Sequence, residues 1–377
     1  MKLIKREIQE AIQRCFFKGK VIIIYGARQV GKTTLVRQIQ ANYPDSLYLN
    51  CDEPDIRNAL TDVTSTQIKS LIGEKKVIFI DEAQRVKNIG LTLKIMADNF
   101  KNIQVVATGS SAFELSNRII EPLTGRKYEF HLYPFSLKEL LQLYSRLELR
   151  RVIEKRIILG MYPEVTFLSD TEAKDLLREI ARSYLYKDAL VYQQIKNPDV
   201  LEKLLQLLAL QIGREVSYNE LASNLGVDKK TVSSYIQILE KAFVIFRIKP
   251  FSKNLRKEIT KLRKIYFIDM GIRNALINNL NPFYLRQDKG ELWENFLISE
   301  RIKMNMNLQR TINTYFWRTH QKEEVDYLEE YQDKIEGFEF KLQEARFRIP
   351  KSFRDNYPDI KVNLVTKENF EEFVFQT

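Results

Sequence analysis

The chain has 377 residues, 44% apolar and 29% charged, with 60 basic and 49 acidic side chains giving a formal charge of +11. This composition describes a folded basic protein of two or three domains and excludes collagen-like and membrane-spanning classes, since no window approaches the roughly 18 apolar residues of a membrane helix. Cys15 and Cys51 build no disulfide framework and point to a reducing cytoplasm, the mixed charges of residues 1–7 are no signal peptide, and His131 and His320 alone exclude histidine-rich zinc chemistry.

In chain order, Leu3, Ile4, Ile8 and Ile12 fall at helical spacing. Val21-Ile22-Ile23-Ile24-Tyr25 then reads as a strand buried on both faces. Residues 46–50, 77–80 and 103–107 are further strands of this kind with helical patterns between them, which predicts an α/β domain with a parallel sheet. From about 135 to 245 the pattern is almost wholly helical. After 285 a helix precedes short strands over 314–318, 324–328 and 335–341. Charge divides unevenly, with +6 over residues 1–130, +8 over 131–284 and −3 over 285–377. Lys249 to Lys264 holds seven bases against Glu258 alone.

Gly26-Ala27-Arg28-Gln29-Val30-Gly31-Lys32-Thr33-Thr34 fits G-x-x-x-x-G-K-[ST] between the first strand and the helical pattern 35–39. Glycines let backbone N–H groups curl around an anion at a helix N-terminus, so the segment predicts a phosphate-binding loop. Lys32 is expected on the β- and γ-phosphates of ATP, and the Thr33 hydroxyl on Mg²⁺. Val77-Ile78-Phe79-Ile80-Asp81-Glu82 is an apolar strand ending in two acids, the Walker B pattern. Asp81 is placed to hold the magnesium, and Glu82 to orient and deprotonate water. Alone, such a pair is equally a helix cap. After the strand 105–107, Thr108 or Ser110 is either a γ-phosphate sensor or part of a polar turn, and Arg126 either stabilises transition-state charge or is a solvated surface arginine.

Residues 26–35, Phe79-Ile80-Asp81-Glu82-Ala83-Gln84, 108–111, 123–126, 132–136 and 160–164 resemble the AAA-type ATPases related to archaeal ATPases and STAND NTPases. The resemblance covers essentially the whole chain, including a C-terminal domain of unknown function. It implies a five-stranded sheet of the additional-strand, catalytic-glutamate type, with Glu82 as the catalytic acid, Ser110 as a sensor and Arg126 as an arginine finger. Lys187-Asp188 stands where the family often has Arg-Asp, and lysine lacks the planar two-pronged phosphate contact.

Ser217 to Val227 reads as a capped helix ending in a glycine turn, and Asp228 caps a second helix over 229–240. This is the helix-turn-helix order, and the strand 243–246 with residues 249–264 supplies a wing. Lysines and arginines there are expected to neutralise DNA phosphates; the bland reading is a lid or protein contact. Phe251 is the one aromatic in the basic run, so base stacking is not expected. On a strand, Glu339 and Lys341 share a face. Asp326 on a neighbouring strand can share a divalent cation with Glu339, Glu294 can add a ligand, and Lys341 can orient water. This looks like the PD-(D/E)xK nuclease core, with Val325 in place of its proline. Expected domains are an ATPase over 1–135, a helical lid over 136–200, a winged helix over 201–284 and a nuclease-like α+β domain over 285–377. The leading expectation is a cytoplasmic ATPase acting on DNA, with a homo-oligomer or protein partner allowed and no membrane. The alternative is a STAND-like nucleotide switch whose last domain only binds a partner.

Overall fold

Wholly apolar, β-branched runs are stable only where both faces of a strand are covered, and the first unit is built on three of them. In the computed structural model, which describes residues 3–109, 123–183, 195, 197–252, 263–343 and 347–375, β1 (Val21–Gly26), β3 (Val77–Asp81) and β4 (Gln104–Gly109) are buried along their whole length. β2 (Ser46–Asn50) and β5 (Lys127–Leu132) close the edges with more polar side chains. The order is β2-β3-β4-β1-β5, and every pairing is parallel. β4 therefore lies between the P-loop strand and the Walker B strand, as expected. Each buried isoleucine of β1 contributes roughly 1.5–3 kcal/mol of transfer free energy. β5 is a strand that the sequence pattern did not single out.

The described residues divide into two compact units, one within 1–135 and 241–243 and the other within 136–240 and 244–377. The second unit begins as helices, including Arg146–Leu159, Asp170–Ser183 and Pro198–Leu210. Serine caps recur for the expected reason: Ser145 and Glu148 form a reciprocal capping box. The helix Tyr218–Leu225 is capped by Ser217 and stops at Gly226, whose φ of 64° is the left-handed turn that glycine adopts freely. Asp228 then accepts from the backbone N–H of Thr231 at 2.8 Å and opens the helix Lys229–Lys241.

β6 (Glu215–Val216) precedes the helix pair and β7 (Ile245–Pro250) and β8 (Arg263–Phe267) follow it, with β8 antiparallel to both β6 and β7. The long helix Lys289–Asn307 leads into β9 (Asn313–Arg318), β10 (Glu324–Tyr331), β11 (Lys334–Phe340) and β12 (Lys361–Val365). β7 pairs parallel with β9 through Lys249 opposite Tyr315, and the result is one seven-stranded sheet, β12-β11-β10-β9-β7-β8-β6. The sequence boundary at 284/285 thus crosses a continuous sheet. Trp317, Val325, Leu328, Phe353 and Val362 form a core on it. Among the described residues no helix is long and apolar enough to cross a membrane.

Candidate functional sites

The P-loop connects β1 to the helix Lys32–Gln40. Gly31, the residue before the helix, has φ of 93°, and as a glycine it brings no side chain to cap the first N–H groups. A Cβ at Gly26 would collide with the carbonyl oxygen of Leu132 on β5, so glycine is required by close packing there. Lys32 is buried and donates from Nζ to the carbonyl oxygens of Gly26 at 2.9 Å and Ala27 at 2.8 Å. These carbonyls stand where the ammonium rests within the loop itself. Ala27 and Val30 are buried, Arg28 is half-buried, and Gln29, Thr33 and Thr34 are exposed.

Asp81 ends β3 with a buried carboxylate surrounded by hydroxyls. Its Oδ2 accepts from Thr33 Oγ1 at 2.8 Å and from the Tyr48 hydroxyl at 2.5 Å, and its Oδ1 accepts from Thr108 Oγ1. Thr33 and Asp81, predicted to share one magnesium ion, are therefore adjacent. The pairing of neutral hydroxyls with a hard carboxylate is a donor set suited to Mg²⁺. Glu82 follows in the left-handed region at φ of 52°, a conformation non-glycine residues rarely hold without support. That support is visible: the Glu82 N–H donates to Thr108 Oγ1 at 3.0 Å, and Gln84 Nε2 donates to Glu82 Oε2 at 2.5 Å. Thr108 thus links both acids. Tyr48 and Gln84 are absent from the sequence-based site: Tyr48 belongs to no motif, and Gln84, though it ends the motif 79–84, is given no role there. The Arg37 guanidinium lies over the Tyr48 ring at 3.3 Å, and burial, together with the Asp81 charge, raises the Tyr48 hydroxyl well above its ordinary range.

Arg126 lies away from the P-loop of its own chain. It immediately precedes β5, and its carbonyl oxygen accepts from the N–H of Val21 at the start of β1. The P-loop leaves the other end of β1, about 20 Å away at 3.3 Å per residue. Its guanidinium is occupied by Asp98 at 2.6 Å. Within one chain it cannot reach the loop. Ser110, Lys187 and Asp188 lie outside the described residues.

The second candidate site gathers the predicted C-terminal acids. Register pairs Tyr327 with Phe338, and one further step sets Asp326 beside Glu339. The β9–β10 register shifts between Val325 and Leu328, so Asp326 sits on a bulge, a device that re-aims side chains. Asp326 Oδ2 accepts from the N–H of Phe340 at 2.9 Å. Lys341 Nζ pairs with Glu339 Oε1 at 2.7 Å, as their shared strand face predicts, while Glu339 Oε2 is buried without a hydrogen-bond partner. Glu294 faces this group from the Lys289–Asn307 helix and accepts from the Tyr266 hydroxyl at 2.5 Å. Burial pushes Glu294 and Glu339 up to about 7, with the charge of Asp326 adding to both, and burial also raises Asp326.

Lys264 overturns part of the expected DNA surface. It is 1% exposed, and its ammonium pairs with Glu294 at 3.2 Å and with Glu324. Burial works against its charge, but Glu294, Glu324 and Asp326 outweigh that and raise its pKa. It is therefore an interior cation of the carboxylate cluster, unavailable to DNA phosphates. Of the same basic stretch, Lys249 is exposed, Arg263 is half-buried, and residues 253–262 lie outside the described residues. Phe251 packs on Tyr315 and Tyr357, with ring centroids at 5.4 and 5.1 Å. A second correction concerns Glu294, Asp326 and Glu339 as a ready metal triad. Among the described residues no three His, Cys, Asp or Glu side chains are grouped to hold a metal ion. Ammonium groups already occupy these carboxylates: Lys264 pairs with Glu294 and Lys341 with Glu339. The orphaned Glu339 Oε2 is the one feature that fits an added cation.

Family models match three successive stretches: an "AAA domain" over residues 18–141, a "Domain of unknown function (DUF8612)" over 150–282, and a "Domain of unknown function (DUF4143)" over 289–376. An uncharacterized protein of Methanocaldococcus jannaschii is 27% identical over 320 residues, covering 79% of this chain and 69% of the relative. An uncharacterized protein of Haemophilus influenzae is 25% identical over 403 residues, covering 98% of this chain and 95% of the relative. A Walker-type ATPase of Pyrococcus abyssi is 14% identical, covering 72% of this chain and 95% of that one, with a TM-score of 0.47.

Proposed function

From an AAA-type P-loop domain followed by two domains of unknown function, we propose that the chain binds and hydrolyses ATP and uses nucleotide state to gate the engagement of DNA by its second unit. The observation that carries this reading is the joined arrangement of Lys32, Thr33, Asp81 and Glu82, in which Thr33 and Asp81 are already in contact and Glu82 follows directly. On this reading Lys32 leaves the carbonyls of Gly26 and Ala27 for the β- and γ-phosphates, which offer a stronger, charge-assisted contact. The N–H groups at the start of the Lys32–Gln40 helix face the phosphates. Thr33 Oγ1 and Asp81 would hold Mg²⁺, which would supply positive charge to the phosphate oxygens. Glu82, its carboxylate steadied by Gln84, orients a water and accepts its proton.

DNA enters through the winged helix. Lys229 and Lys230 are exposed at the start of its second helix, with Lys249 exposed on β7. Their role is electrostatic: they position phosphates without reading bases. Two measurements test the assignment. Lys32→Ala should abolish ATP binding, and retained binding would sink it. Lys229→Ala with Lys230→Ala should lower the slope of log affinity for duplex DNA against log salt by about 2, at ~0.9 per lost phosphate contact. An unchanged slope would remove the winged helix as the DNA face.

For the carboxylate cluster, the unpartnered Glu339 Oε2 beside Lys341 favours metal-dependent phosphodiester cleavage. The lysine-held state of Glu294 and Glu339 favours the second reading, a nucleotide switch with a non-cleaving interaction module. A magnesium-dependent DNA cleavage assay with Asp326→Ala and Lys341→Ala separates them. Cleavage lost in both variants supports the nuclease; cleavage unchanged in them, or absent from the parent under every nucleotide condition, supports the switch.

A further inference from the structure

Four carboxylates meet in the interior of the second unit: Glu294 from the long helix, Glu324 and Asp326 from β10, and Glu339 from β11. Two ammonium groups face them, Lys264 from β8 and Lys341 just beyond β11. Arg318 also approaches Glu324, at 3.6 Å, but is shared with Glu215 at 3.7 Å, and this flanking pair cancels in charge. With all carboxylates ionised, the cluster carries four negative and two positive charges.

The two lysines differ. Lys341 has nearly half its side chain exposed and can follow its partner into solvent, whereas Lys264 is 1% exposed and its backbone is fixed between β6 and β7. Its ammonium also lies over the Phe316 ring, 5.5 Å from the centroid. An ammonium enclosed by three acids does what a bound cation does there: it neutralises the carboxylates and satisfies their oxygens. It stands on an element no sequence motif connects with the acids. Glu339 Oε2, on the strand that pairs with the one bearing Asp326, is left without a partner in this arrangement.

We propose that the Lys264 ammonium is the resident cation of this cluster, so that the cluster takes up no more than one divalent ion and does so in competition with Lys264. The proposal rests on reading the cluster as a divalent-cation site. After one divalent ion enters, the remaining charges balance, and a second ion would be repelled by the first and by Lys264. The free oxygen of Glu339 is the point at which the ion first gains a ligand, and Glu294 follows only by releasing Lys264.

The test is Mn²⁺ binding to the nucleotide-free full chain at pH 8, read by loss of the free-ion paramagnetic resonance signal. Lys264→Met keeps the length of the stem and removes the charge. It should bind Mn²⁺ at least ~10-fold more tightly than the parent, as expected for deleting a buried positive charge within a few ångströms. Asp326→Asn added to Lys264→Met should erase the gain, which assigns it to this cluster. Lys264→Arg, which keeps the charge, should bind as weakly as the parent. An affinity unchanged or weakened in Lys264→Met overturns the proposal, as does a parent chain that holds two ions here. Should Lys264→Met be unfolded in chelator, millimolar Mn²⁺ should restore a cooperative melt, because an ion that binds only the folded state stabilises it; failure to do so also overturns the proposal. If neither chain binds Mn²⁺, both the proposal and the metal-site reading fall. If the parent cleaves DNA with Mn²⁺ while Lys264→Met binds no more tightly, only the proposal falls.

Discussion

Asp81 and the C-terminal carboxylates solve the same problem, a buried acid, with opposite means. Around Asp81 the donors are the neutral hydroxyls of Thr33, Tyr48 and Thr108. Around Glu294, Glu324 and Glu339 the donors are the charges of Lys264 and Lys341, with the Tyr266 hydroxyl added. A hydrogen bond from an uncharged hydroxyl to a carboxylate contributes about 1.5–3 kcal/mol net, and its exchange for a metal contact strands no charge. A buried ion pair is bound to its position, because removing one partner strands the other. The comparison teaches that the P-loop site is arranged to accept a cation, whereas the second cluster already contains two.

Lys32→Ala should break the first half of this contrast most strongly, with ATP binding lost beyond detection in equilibrium dialysis. Glu339→Gln tests the second half through pH. The folded-state pKa of Glu339, about 7, lies above its ordinary 4.5, so its ionisation opposes folding. That penalty is absent below about pH 4.5, grows as pH rises, and is complete above 7. Glu339→Gln should therefore gain roughly 2 kcal/mol on the parent between pH 5 and pH 8 in urea melts, taking a shift of this size at 1.36 kcal/mol per unit and discounting for relaxation. A gain independent of pH would mean the carboxylate is not held as described. Tyr48→Phe is the mildest change. Losing one hydroxyl on Asp81 should raise the Mg²⁺ concentration for half-maximal turnover about fivefold, or ~1 kcal/mol, with ATP affinity retained. An unchanged Mg²⁺ requirement would show that Thr33 and Thr108 alone orient Asp81.

What could be read from the sequence was whatever lies contiguous in it. The P-loop and the strand ending in Asp81-Glu82 declare themselves because strand, turn and helix follow one another along the chain. Glu339 and Lys341 are legible for the same reason, since alternate residues of a strand share a face. β5 was missed because Lys127-Tyr128-Glu129-Phe130-His131-Leu132 is a polar edge strand without the apolar run of its neighbours. Tyr48 and Gln84 act on Asp81 and Glu82 from positions that only pairing of β2 with β3 and the turn after β3 bring near. Lys264 was misread for an instructive reason: charge density along a chain says nothing about which face of a strand each base occupies. Its neighbour in sequence, Arg263, is half-exposed, while Lys264 points into the acids. The change from helical to strand pattern set the expected boundary at 284/285; the pairing of β7 with β9 across it is a contact that no local pattern announces.

The most direct test of the ATPase reading is hydrolysis of γ-labelled ATP by the parent and Glu82→Gln chains, with ATP affinity measured on the same samples. Glu82→Gln preserves the shape of the side chain and its place beside Gln84 but cannot take a proton from water. The predicted result is parent-like ATP affinity with turnover reduced at least ~100-fold, the lower range for a lost general base. Parent-like turnover in Glu82→Gln, or a parent chain that fails to bind ATP, would contradict it.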